Sequence, residues 1–501
     1  MTAQQDLPAI AIIGAGPSGL ATARWLKAKG LDAVILEAGA GLGGQWNPDA
    51  PHSATWPGMR TNTSRVMTAF SDMDHPEGTP VYPTREQMHA YLTAYAERFD
   101  LAGAIRFGCR VEGLAQVEGG WRLDWRVEEG AQTAVFERVI VATGRQVEGA
   151  LPDIPGLESF AGRLGIRHTN AYAGTADWVG ASVLVAGCSI SALEIAAELA
   201  HHAGEVTVAY RRQRYVLPKQ IVGVPTDHVM FTRAAALMAE RFPPEVVAQG
   251  LKAQVLKVAG NPADWGAQEP HENVFAAGIT QSQSFLPAVS EGRIATRPWI
   301  ERIDGRTVRF ADGSAREVDG ILFGTGYALS LPFLSPEIAA TLQLDPVGMD
   351  LFAQTFHPEL PGLAFVGVYE LLGPYFPVVE LQARWVAESL ARPETLPPAE
   401  QMAQVIAATP PEFRRAPAIP MNALAVVFAR LLGAEPTAAD WPGLERALML
   451  GPLSPASFRL SGPDATDDAP IRTAAAAAAF GHIVDATPTA EEQGLLGALA
   501  G

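Results

Sequence analysis

Twice along the chain a short apolar run breaks into a tight turn and re-emerges as an amphipathic helical pattern. The first copy is AIAIIGAGPSGLATARWL, in which Ala9 to Ile13 predict a buried strand and Ser18 to Lys27 a helix. The second is VLVAGCSISALEIAAEL, Val183 to Leu199, with the same order of strand, turn and helix. Each is followed by another apolar run, DAVILEAG after the first and VTVAYRRQRYV after the second. This repetition predicts an α/β fold with two dinucleotide-binding (Rossmann-like) domains.

The turns carry the chemistry. Gly14, Gly16 and Gly19 spell G-x-G-x-x-G between strand and helix. The first glycine permits the turn, the second lets backbone approach a pyrophosphate, and the third lets helix and strand close up. Glu37 ends the second strand, where an acid accepts from ribose hydroxyls and repels a 2′-phosphate. FAD and NAD both fit those residues; the GGQW turn at 43–46 is familiar from flavoproteins. In the second unit only Gly187 is kept, with Ser189 and Ala192 at the other two glycine positions. The offset that reached Glu37 now falls on Tyr210, followed by Arg211 and Arg212. Guanidinium groups bind phosphate in bidentate fashion, so this unit selects NADPH; the plainer reading is a solvated arginine run that includes Arg214. The Ser189 hydroxyl is expected to donate to a phosphate.

A chain of 501 residues accommodates two or three domains, and its net charge of -17 disfavours nucleic acid or an anionic membrane surface as partner. Its two cysteines, Cys109 and Cys188, form no C-x-x-C pair, which disfavours dithiol redox chemistry, a thiolate zinc site and a disulfide framework. The histidines are scattered and predict no metal site. No signal peptide and no membrane span are expected, and the location is expected to be cytoplasmic.

With these motifs in place the chain resembles the flavin-containing monooxygenases over most of its length. The resemblance runs through GAGPSGL, GGQW, MRTNTSRVMTAFSDM (59–73), VIVATGRQ (139–146), GILFGTGYALSLPFL (320–334), FHPELPGLAFVGVYELLGPYFPVVELQARW (356–385) and GPLSPASFRLSGP (451–463). It departs at Gly324, where alanine is usual, and at Arg65, where lysine is common. It departs again in FAGRLGIRHTNAY (160–172), which is two residues longer between Gly162 and His168 than the family fingerprint. Tyr172 stands where ketone-oxygenating relatives place tryptophan, which favours heteroatom oxygenation.

The resemblance implies FAD and NADPH as cofactors, a C4a-hydroperoxyflavin, and transfer of oxygen to a soft nitrogen or sulfur of a small molecule. Baeyer–Villiger oxygenation of a ketone and uncoupled NADPH oxidation are the alternatives. Asn62 is the implied catalytic residue, its amide donating and accepting between nicotinamide and flavin. The cofactor-binding set is Gly14, Gly16, Pro17, Ser18, Gly19, Glu37, Gln45, Trp46, Thr61, Asn62, Thr63, Thr143, Gly187, Ser189, Ser191, Ala192, Arg211, Arg212 and Gln382. His168 receives no catalytic role. A homodimer is the family-based expectation. The FAD domain is expected to be discontinuous, 1–165 and 322–501, with the NADPH domain at 166–321 inserted into it. ILFGTGY (321–327) reads as the chain re-entering the FAD domain, 219–290 as a helical insertion, and the region after about residue 395 as a helical extension whose last 20 or so residues are mobile.

Overall fold

The computed structural model describes residues 7–50, 53–410 and 418–500. The strand Ile10–Ile13 is buried at all four positions because it is the middle of a five-stranded parallel sheet covered on both faces. In space the order is Leu363–Phe365, Arg138–Val141, Ile10–Ile13, Ala33–Leu36 and Ile105–Arg106. One face is covered by the helices Pro17–Ala28 and Phe376–Ala391, which bring Leu20, Trp25, Leu381 and Trp385 into the core. The other is covered by an antiparallel meander, Arg110–Val117, Gly120–Val127 and Gly130–Phe136, through Trp121, Leu123 and Trp125.

A second five-stranded parallel sheet repeats the plan, in the order Ile294–Pro298, Glu205–Tyr210, Ser182–Ala186, Gly320–Phe323 and Gly165–His168. In each sheet the central strand leads into the altered or complete glycine turn, at the point where successive connections diverge to opposite sides. That is where open α/β sheets bind ligands.

One boundary differs from expectation. The strand Gly320–Phe323 pairs in register with Val183–Ala186 and with Gly165–His168, so it belongs to the second sheet and is not a return into the first. Its apolar sequence identifies a buried strand but carries no label for which sheet receives it. The chain crosses back only after it. There Tyr327–Ala328 runs antiparallel to Glu148–Gly149, the outgoing connection. The two extra residues before His168 are taken up by a turn in which Gly165 N–H donates to Gly162 O at 3.0 Å.

The insertion comprises a hairpin at 220–225, the helices Thr226–Met230, Arg233–Arg241 and Pro244–Ala259, and shorter elements to Ser290. Thr232 caps the second of these helices by accepting from Ala235 N–H. That helix docks on the C-terminal extension through Arg233–Glu435 and Glu240–Arg430 ion pairs, each at 2.8 Å. The end of the chain is not the loose tail expected. The helix Ala490–Ala500 packs on Arg233–Arg241, with Leu499 only 3% exposed against Ala234 and Met449. The small apolar residues of GLLGALA carried too little amphipathic signal to reveal this seat.

Candidate active site

The first loop folds as its glycines dictate. Gly14 sits at φ +103° against the chain at Ala142, where a Cβ would stand 2.8 Å from the Ala142 carbonyl oxygen. A Cβ on Gly19 would lie 1.9 Å from Gly14 O, so the helix closes on the turn only with glycine there. The helix Pro17–Ala28 has no side-chain cap at Gly16, which leaves its first-turn N–H groups to an anion. Glu37 is fixed by two backbone donors, Ala15 N–H to Oε2 and Gly39 N–H to Oε1, each at 2.7 Å. Each oxygen keeps a second lone pair for a ribose hydroxyl.

The second loop departs from expectation in its details. The Ser189 hydroxyl, expected to meet a phosphate, lines the cavity and donates to Gly324 O at 3.2 Å. A short polar side chain beside a bare carbonyl satisfies it locally. Gly187, at φ +135°, leaves no room for a Cβ, which would lie 2.3 Å from the same Gly324 oxygen. A Cβ on Gly324 would lie 2.7 Å from the Ala192 Cβ.

Both loops open into one cavity of about 1880 Å³. An ordinary small-molecule site is about 300–1,000 Å³, so this space accommodates two dinucleotides and a further molecule. Gly16, Pro17, Ser18, Glu37, Gln45, Trp46, Thr61, Asn62, Thr63, Thr143, Ser189, Ser191 and Arg212 line it together. Gly14, Gly19, Gly187 and Ala192 do not; they shape the turns behind it.

Two further candidates are corrected. Arg211 stacks over the Trp299 ring at 4.7 Å and does not line the cavity, whereas Arg212 and Arg214 do. The run begins where the strand Glu205–Tyr210 has ended, in a bend that sets Arg211 on Trp299. Gln382 is 0% exposed and lines nothing. Its Oε1 accepts from Gly367 N–H at 2.9 Å, and its Nε2 donates to Thr355 Oγ1 at 2.8 Å and Phe365 O at 2.9 Å. It ties helix Phe376–Ala391 to the first sheet.

Tyr172 also lies away from the cavity, 3% exposed and edge-on to Trp56 with ring centroids 5.5 Å apart. Its ring is part of the apolar core of the second unit. His168 is structural: its Nδ1 accepts from Asn170 N–H at 3.2 Å and its ring meets Tyr327 edge-on. Both cysteines are free and buried, and burial pushes the Cys188 thiol up to about 11, which leaves it inert. Among the described residues no cluster of side chains could hold a metal ion.

The sequence reading missed the far walls of the cavity. Ala235, Met238, Phe242, Val247 and Leu251 of the insertion face Leu372, Ala423, Leu450 and Leu495 of the C-terminal half. Tyr327, Glu370 and Tyr375 line the same cavity. Burial raises the Glu370 carboxyl, opposed by Arg145, whose Nε lies 3.7 Å away. Helical spacing in the insertion marks its apolar face, but nothing in the sequence says what that face covers.

Two dinucleotide-binding domains with facing glycine turns, an acid at one strand end and arginines at the other, define a flavoprotein oxidoreductase served by a nicotinamide cofactor. The comparisons make this particular. The chain matches the flavin-binding monooxygenase-like family over residues 8–477 and belongs to it. It is 30% identical over 392 residues to the rat (Rattus norvegicus) dimethylaniline monooxygenase [N-oxide-forming] 2, covering 75% of this chain and 72% of that one. In structure it is similar to the S-allyl-L-cysteine S-oxygenase of Allium sativum, with a TM-score of 0.62, 24% identity and coverage of 84% of this chain and 87% of the other. It is also similar to the cyclohexanone monooxygenase of Rhodococcus sp. Phi1 bound to NADP+, at a TM-score of 0.63, 18% identity and coverage of 85% and 96%. The chain is an enzyme of the oxidoreductase class, and its cofactors are FAD and NADPH. Among the described residues no helix is long and apolar enough to cross a membrane.

Proposed function

We propose that the enzyme transfers one oxygen atom from O2 to a soft nitrogen or sulfur of a small, largely apolar molecule, at the expense of NADPH. The observation that carries this reading is that Asn62 lines the same cavity as both glycine turns. When bound, FAD supplies hydride acceptance and the activation of oxygen. The chain supplies the rest. Gly16 to Ser18 hold the flavin nucleotide's phosphates at a helix N-terminus, and Glu37 holds its ribose. Arg212 and Arg214 hold the 2′-phosphate of NADPH. The Asn62 amide, which can both donate and accept, would hold the nicotinamide and the flavin edge together when both are bound. The apolar walls from the insertion and the C-terminal half exclude water and accept the substrate's hydrocarbon body.

The dimethylaniline and S-allyl-cysteine enzymes named above act on nitrogen and sulfur, which supports the choice of atom, and the cyclohexanone enzyme keeps ketones in play. The deciding experiment feeds the purified enzyme NADPH, oxygen and, in turn, a dialkyl sulfide, a tertiary amine and a cyclic ketone. Sulfoxide or N-oxide formed in step with NADPH consumed supports the reading. A lactone from the ketone alone overturns it in favour of Baeyer–Villiger chemistry. Peroxide equal to NADPH with all three substrates makes the protein an oxidase.

A further inference from the structure

The turn that carries Asn62 is anchored from two directions. From its own domain, Thr61 N–H donates to Pro83 O at 2.9 Å, and Thr61 Oγ1 donates to Thr63 O at 2.8 Å. Thr68 Oγ1 donates to Ser64 O. From the insertion comes a different contact. Ser64 N–H donates to Asp227 Oδ2 at 2.6 Å, and Ser64 Oγ lies 3.2 Å from His228 Nε2.

All three side chains are buried, Asp227 at 2% exposure. Among the described residues no cation pairs with Asp227, and its Oδ1 has no partner. Burial pushes its carboxyl up to about 6. Hydrogen bonds from Ser64 and from the first-turn backbone of its own helix oppose that burial, so the carboxylate is held between the 61–64 turn and the helix it sits on.

Asp227 is in turn fixed to the NADPH unit. It lies in the first turn of the helix Thr226–Met230, and Thr226 donates through N–H to Lys219 O at 2.9 Å and through Oγ1 to Pro218 O at 2.6 Å. Lys219 Nζ pairs with Glu194 Oε2 at 2.7 Å, and Glu194 belongs to the helix Ile190–Leu199 that leaves the second glycine turn. An unbroken chain of contacts thus joins the NADPH loop's helix to the backbone two residues from Asn62.

We propose that Asp227 is a positioning residue for Asn62, holding the 61–64 turn from the insertion so that the amide stays in register with the NADPH loop. This rests on the reading of Asn62 given above. Asp227 itself lines the cavity, and in this role it acts through the Ser64 N–H.

The test uses the full-length, FAD-loaded enzyme with thioanisole and follows sulfoxide and peroxide per NADPH. Asp227→Ala is expected to cut the fraction of NADPH that ends in sulfoxide by about tenfold, the scale of a small misplacement. NADPH KM and bound flavin per chain stay unchanged, and Asp227→Asn, which keeps an acceptor oxygen, restores most of the coupling. A readout independent of turnover is amide hydrogen exchange of Ser64 in the flavin-free protein: about tenfold faster in Asp227→Ala and near wild type in Asp227→Asn. Should Asp227→Ala not fold, Asp227→Ser, whose hydroxyl is too short to reach the same N–H, is read in both assays.

Wild-type coupling and exchange in these variants overturn the proposal. So does loss of flavin in every variant, which makes Asp227 a residue of folding. Asn62→Ala run alongside separates the two claims. If it leaves coupling intact, the reading of Asn62 fails. If it uncouples and Asp227→Ala does not, only the positioning role fails. A double variant worse than Asn62→Ala alone also overturns it, because a residue acting through Asn62 adds nothing once Asn62 is gone.

Discussion

A methyl group on Gly324 would stand 2.7 Å from the Cβ of Ala192. Two of the positions where the second unit departs from pattern, alanine for the third glycine and glycine for the usual alanine, therefore explain each other. The helix has gained a methyl group and the facing turn has given one up. Gly324→Ala is expected to destabilise the second unit by about 1–3 kcal/mol through overpacking. It should also raise the KM for NADPH. Ala192→Gly in the same chain should recover most of both losses, a non-additivity read by thermal denaturation and steady-state kinetics.

The arginine run makes a separable prediction. Arg212 and Arg214 line the cavity while Arg211 lies on Trp299. Arg212→Ala and Arg214→Ala should each weaken NADPH by about 10–100-fold in KM, since a charge-assisted bond contributes about 1.5–3 kcal/mol. NADH, lacking the 2′-phosphate, should be little affected. Arg211→Ala should change the ratio of the two coenzymes by less than about threefold, because its charge stays on the surface.

Gln382 offers the opposite pattern. Its amide bonds with four groups in the core, including Gln354 O at 3.2 Å. Gln382→Met strands those partners without altering the cavity. Stability should fall by about 2–4 kcal/mol, seen as a lower melting temperature. KM for NADPH and flavin content of the folded fraction should not move; a selective loss of FAD would restore Gln382 to the cofactor site.

The cavity walls predict a size rule. Ala235 lines the insertion side and helix Arg233–Arg241 is pinned at its cap, so a bulky residue there cannot swing clear. Ala235→Trp should lower kcat/KM for long-chain alkyl sulfides by about tenfold, the scale of losing a few buried methylenes, and spare dimethyl sulfide. NADPH consumption without substrate is the control.

Two neighbours give stability an opposed pH dependence. Burial pushes His228 down from 6.5 to about 3, with His482 adding repulsion, while Phe480 and Ser64 are its uncharged neighbours. Between those values the unfolded chain binds a proton that the folded chain refuses, so stability is lost as pH falls from about 6.5 towards 3. Asp227 is raised from 3.8 to about 6, so the folded chain binds the extra proton and stability is lost as pH rises from about 4 to 6. His228→Gln should therefore flatten the acid-side fall in melting temperature between pH 6.5 and 4.5, and Asp227→Asn should steepen it. Each effect is on the order of 1–3 kcal/mol.

The parts of this fold that were legible in the chain are those that local physics determines. Ile10–Ile13 and Ser182–Ala186 are apolar runs ending in glycine, and a buried strand before a turn leaves that mark wherever it occurs. Glu37 and the arginine run were legible because strand ends have a fixed offset from the turn. What escaped was decided by partners distant in sequence. Gln382 lies in a stretch rich in family likeness, yet its contacts come from Gln354, Thr355, Phe365 and Gly367 across a helix and a strand. Asp227 has no periodic or compositional signal at all; only its place against Ser64 gives it meaning. The strand Gly320–Phe323 was recognised as a strand and assigned to the wrong sheet, since apolar sequence records burial and not address.

The crossing between the two sheets is made by a pair of bonded strands, Glu148–Gly149 and Tyr327–Ala328, and not by two independent threads. A swing of one domain against the other therefore twists this ribbon, and it also loads the Ser64–Asp227 and Arg233–Glu435 contacts. A protease that nicks one strand of that ribbon leaves the domains still tethered by the other, so cleavage at this waist shows on a denaturing gel before it shows in the size of the native particle.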